Sequence, residues 1–144
     1  MSKKGVWRIA KSAGYRSVPE MAQGLAQKMC GQDLIQFLKE SRVSRILIGI
    51  EPGGGVAWLT AETVCRYPTY RITLHPNRSI SNWIEDLGHE IGHLLAWGLG
   101  SAPLFKTDHI FAETFAMVWS QITENRIAAR KIFCKLKKER KIRL

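Results

Sequence analysis

The sequence predicts a small α+β domain in which a short mixed sheet packs on one apolar helix and on a long helix that follows it. Three observations carry this. The chain has 144 residues, the size of one domain with one core, so 1–144 is expected to form a single unit. Its elements read in the order helix, strands, then two helices. Its 45% hydrophobic and 24% charged residues match an ordinary globular composition.

The first helix is expected from Pro19 to about Glu40. Pro19 suits a first turn, where its missing N–H costs nothing. Met21, Leu25, Met29, Leu34 and Leu38 recur at roughly helical spacing, although Gly24 and Gly31 weaken the pattern. Arg45 to Ile50 is a short isoleucine-rich run and reads as a buried strand. Pro52 and Gly53 to Gly55 break it. That glycine run lacks the Lys-Ser/Thr pair of a phosphate loop and reads as a hairpin turn. Residues 56–64 form a second extended segment. Tyr70 to His75 alternates and reads as a third strand, ended by Pro76.

A second helix is expected to start near Ser81 or Asn82, with Asn82 and Glu85 spaced as a capping box. Trp83, Ile84, Leu87, Ile91 and Leu94 give it a broad apolar face, and Gly98 and Gly100 end it. A third, long helix begins near Thr107 or Asp108 and carries Phe111, Phe115, Val118, Trp119 and Ile122.

Cys30, Cys65 and Cys134 are odd in number and far apart, which fits neither a disulfide framework nor a paired-cysteine metal site. They read as free, mostly buried thiols. No apolar stretch is long enough to cross a bilayer, and no apolar core follows Lys3 and Lys4, so a cytoplasmic location is expected.

Residues 89–93 read His-Glu-Ile-Gly-His on the second predicted helix. Two histidines four apart lie on one face, one turn above the other, and can share one tetrahedral zinc ion. Glu90 lies about 100° round the axis, near enough to take a proton from water that such an ion polarises. Gly88 and Gly92 each cost about 1 kcal/mol of helix propensity. Breaking that local rule points to another element approaching the helix backbone closely. A catalytic zinc needs a third protein ligand and an open position. Glu113, on the next helix, is the first choice, because its neighbours Phe111, Ala112, Phe115 and Ala116 suggest a buried setting in which a carboxylate needs a partner. His109, four residues earlier on the same face, is the alternative. If Glu113 is the ligand, His109 can stabilise an oxyanion at the rim. His75 reads as structural.

With His89, Glu90 and His93 the chain resembles the zincin metallopeptidases, which share the HExxH signature. Phe111-Ala-Glu-Thr-Phe-Ala116 is similar to the glutamate-ligand segment of gluzincins, including the peptidase domain of anthrax lethal factor. It also resembles the short ImmA/IrrE-type zincins, and aligning on Ala112, Phe115 and Ala116 there puts the ligand at His109. The resemblance covers about 30 residues, from Asn82 to Trp119 with a gap. It implies a Zn2+ cofactor, a protein or peptide substrate, and a peptidase reaction with Glu90 as general base. It also implies a sheet edge for an extended peptide, for which Tyr70 to His75 is the natural segment.

The charge is unevenly spread. Residues 126–144 hold nine basic residues and one acid, Glu139, and supply +8 of the net +10. Such a basic helical tail suits nucleic acid, an acidic partner or anionic lipid, or simply a solvated helix end. The alternative function is therefore a basic nucleic-acid-binding protein whose zinc is mainly structural.

Overall fold

The computed structural model describes residues 14–29, 33–49, 57–64, 67–98 and 106–144. They form an α+β arrangement of five helices and one four-stranded mixed sheet. The helices are α1 (Val18–Lys28), α2 (Leu34–Glu40), α3 (Ile80–Gly98), α4 (Lys106–Trp119) and α5 (Thr123–Glu139). The strands are β1 (Val43–Ile48), β2 (Ala57–Val64), β3 (Tyr67–Leu74) and β4 (Lys141–Arg143), in the order β2-β3-β1-β4.

The single N-terminal helix expected to reach Glu40 is two helices. Ser17 caps α1 by accepting from the Glu20 amide, and Pro19 sits in its first turn. The chain then restarts: the Asp33 carboxylate accepts from the amides of Ile35 and Gln36 and opens α2. An N-cap aspartate satisfies amides that a helix start leaves unbonded, so it marks a beginning that apolar spacing alone runs through.

The sheet also departs from expectation. β1 runs parallel to β3, and β2 pairs antiparallel with β3, so β1 and β2 do not form a hairpin. The glycine run between them lies outside the described residues. β3 is interior, held by β2 on one side and β1 on the other. It is therefore not the free edge expected of Tyr70 to His75; the edge on that side is β2. Ile46, Ile72 and Ile142 sit side by side in one buried row across β1, β3 and β4.

α3 packs on β2 and β3, and its other side meets α4, which α1 covers in turn. Trp83, Ile84, Leu87 and Ile91 of α3 and Phe111, Phe115 and Trp119 of α4 are almost fully buried and form the core. Ser79, and not Asn82, caps α3: its hydroxyl accepts from the Asn82 amide at 3.4 Å and its carbonyl from the Trp83 amide. Just before it, Arg78 makes a two-pronged bond to buried Asp86, at 3.0 and 3.2 Å. A paired guanidinium is what lets a carboxylate stay buried beside Trp83 and Leu87. That bond raises the Arg78 pKa further.

The basic C-terminal segment does not prolong α4. Ser120 to Ile122 break the chain, and α5 follows as a helix of its own. α5 buries Asn125, Ala129, Ile132, Phe133 and Leu136, then stops at Arg140 in the left-handed conformation (φ 65°). That turn delivers β4 antiparallel to β1. Cys134 is exposed on α5, against the expectation of buried thiols, because the helix turns it away from the Phe133 face; Cys30 and Cys65 lie outside the described residues. Among the described residues no helix is long and apolar enough to cross a membrane.

Candidate metal centre

The site is set by how closely α3 and α4 cross. A methyl group at Gly92 would stand 2.8 Å from the Ala112 Cα, and one at Gly88 2.9 Å from the Trp119 ring. No side chain fits there, so the two glycines let α4 lie against the backbone of α3. This is the close approach that the helix-propensity cost suggested. Gly92 and Ala112 meet between His89 and His93 on one helix and His109 and Glu113 on the other.

Three histidines converge at this crossing. The Nε2 atoms of His89 and His93 are 3.0 Å apart. The ring centroid of His109 is 5.3 Å from that of His89 and 6.1 Å from that of His93. One nitrogen from each of the three falls within 4.8 Å of the others. Two nitrogens held on one tetrahedral zinc stand about 3.3 Å apart, so the spacing fits one ion. His89 and His93 are half-buried, and His109 is exposed.

Glu113 is not in that group. Its carboxylate is bonded to His109 Nε2 at 2.9 Å, and both side chains are 58% exposed. The buried setting expected for Glu113 belongs to its neighbours. Phe111, Ala112, Phe115 and Ala116 face the core, and the helix turns residue 113 outward. Glu90 is the opposite case, at 4% exposure. His75 lies apart, its Nδ1 accepting from the Asn77 amide in the turn before α3.

Electrostatics favour the ligand form of His89. Its pKa is pushed down to about 4, first by burial, then by the positive charges that His93 and His109 can carry, with Glu113 opposing. The imidazole is therefore neutral at pH 7, as a metal ligand must be. The unfolded chain has His89 near its ordinary value of about 6.5 and so binds more protons than the folded chain between about pH 4 and pH 6.5. Stability should fall as the pH drops through that window and level off below it. In chelator, the melting temperature of the wild type should drop more steeply between pH 6.5 and pH 4 than that of His89→Gln. Coincident curves would contradict the assignment.

The Arg78–Asp86 clamp at the start of α3 has no motif in the sequence; its signal is an aspartate on the apolar face of that helix. No protein-family model, no curated protein and no solved structure matches this chain.

Proposed function

We propose that the chain is a zinc-dependent peptidase, with His89, His93 and His109 as metal ligands and Glu90 as general base. Three imidazoles converging from two helices, one residue away from a buried glutamate, carry the proposal. The donor set is the one zinc prefers, neutral nitrogens with an open side. The exposure of His109 supports catalysis over a purely structural ion, because structural zinc sites are closed.

A zinc ion bound here would polarise a peptide carbonyl and make water more acidic. Glu90 takes the proton from the attacking water and passes it to the leaving amine nitrogen. Its low exposure keeps bulk water from competing for that proton. Glu113 accepts from His109 Nε2–H, which fixes the tautomer and leaves the Nδ1 lone pair for the ion. Glu113 thus orients a ligand. The gluzincin resemblance would make it the ligand instead.

Zinc content after dialysis tests the proposal and separates the two assignments. Wild type should hold one zinc per chain. His89→Ala, His93→Ala and His109→Ala should hold almost none. Glu113→Ala should still bind, about 10- to 100-fold more weakly, as the loss of an orienting partner does. The reverse order for His109 and Glu113 would make Glu113 the ligand. Wild-type binding by the His89 and His93 variants would end the metal reading altogether.

A further inference from the structure

We infer that the outer face of α5, continued onto β4, binds the phosphate backbone of double-stranded nucleic acid without regard to base sequence. The inward stripe Asn125, Ala129, Ile132, Phe133 and Leu136 fixes which side of α5 faces out. Arg130, Lys131, Lys135, Lys137 and Lys138 are all exposed there. Positions four apart recur about every 6 Å along a helix, so these cations form a track and not a point. None of the five forms an ion pair with an acid among the described residues; Lys137 instead lies 5.0 Å over the Phe133 ring.

The track continues onto the sheet. Arg143 of β4 sits directly across from Arg45 of β1, and like charges opposite one another repel. Arg143 also lines a groove of about 570 Å³ together with Lys39, Lys131 and Lys135, and two acids, Asp33 and Glu124, line the same groove. Cations from α2, α5 and β4 therefore share one surface. The four cations outnumber the two acids there, so the surface is net positive and suits a polyanion.

The remaining exposed side chains of α5 narrow the partner. They include no aromatic ring on which a base could stack, and four of the five cations are lysines, point charges without the planar fork by which arginine reads guanine. Contact to phosphate, which carries no sequence information, is what the face offers. Ile127, 54% exposed, is the only large apolar side chain exposed on the helix, too little to insert into a bilayer. The surface also lies away from the histidines: α5 meets α3 through Phe133 and Trp83, six residues before His89.

The test is fluorescence anisotropy of the full chain with two unrelated 25-base-pair duplexes across a salt series. If about six phosphates are neutralised, affinity should fall on the order of 10³-fold between 50 and 200 mM salt. The two duplexes should bind within about twofold of each other, since phosphate contacts do not discriminate sequence. Lys131→Glu/Lys135→Glu/Lys138→Glu should lower affinity at least tenfold with an unchanged circular dichroism spectrum. The milder Lys→Gln triple variant should fall between. His93→Ala should bind duplex as the wild type does, which keeps this test separate from that of the metal site. No duplex binding at 50 mM salt, insensitivity to the charge reversals, or tighter binding to phosphatidylserine vesicles or an acidic peptide would each overturn the inference.

Discussion

Glu90→Gln should hold one zinc per chain with wild-type affinity and cleave peptides about 10²- to 10⁴-fold more slowly, the usual contribution of a general base. The amide keeps the volume of the carboxylate, so the packing around this buried side chain is preserved. What is lost is the ability to take a proton at neutral pH. A mixed fluorogenic peptide library read alongside zinc content checks this without knowing the natural substrate. The loss should fall on kcat, because the proton moves only as the bond breaks. Equal turnover by the variant would remove Glu90 as the base, whatever the metal result.

The second large effect is expected at Gly92. On an exposed helix, Gly→Ala gains about 1 kcal/mol. Here the new methyl group would meet the Ala112 backbone at 2.8 Å, and backbone cannot rotate away. Overpacking of this kind costs about 1–3 kcal/mol, which outweighs the propensity gain. Gly92→Ala should therefore lower the urea midpoint. Gly92→Leu should do so further and lose zinc, because separating α3 from α4 carries His109 away from His89 and His93. Gly24→Ala is the control. Its methyl would meet the Tyr15 ring at 3.1 Å, a side chain that can shift, so its loss should be smaller. A stabilised Gly92→Ala would mean that the helices are not held at backbone contact.

How much of this was legible in the sequence depended on range. The paired histidines follow from helical spacing alone, and the two costly glycines announced a close neighbour. Which side chain of that neighbour would lean toward the histidines was not legible. His109 and Glu113 share a face, and only the crossing of α3 and α4 sets which of them stands beside His89 and His93. The break before α2 was signalled by Asp33, but the apolar periodicity on either side masked it. The interior position of β3 could not be read, because alternation reports one buried face and says nothing about which edges are paired. The Arg78–Asp86 clamp joins a loop to a helix eight residues on, beyond any local pattern.

The placing of β4 has a consequence for how the sheet assembles. β1 finds its parallel partner β3 within about 25 residues, but its antiparallel partner β4 lies about 95 residues further along the chain. Closing that longer loop costs more entropy and waits on α5 being in place. Until then the outer edge of β1, with its isoleucines, stands open to pairing with another chain. The cover of that edge is three residues long and two of them are cationic, a charge that itself discourages pairing with another chain.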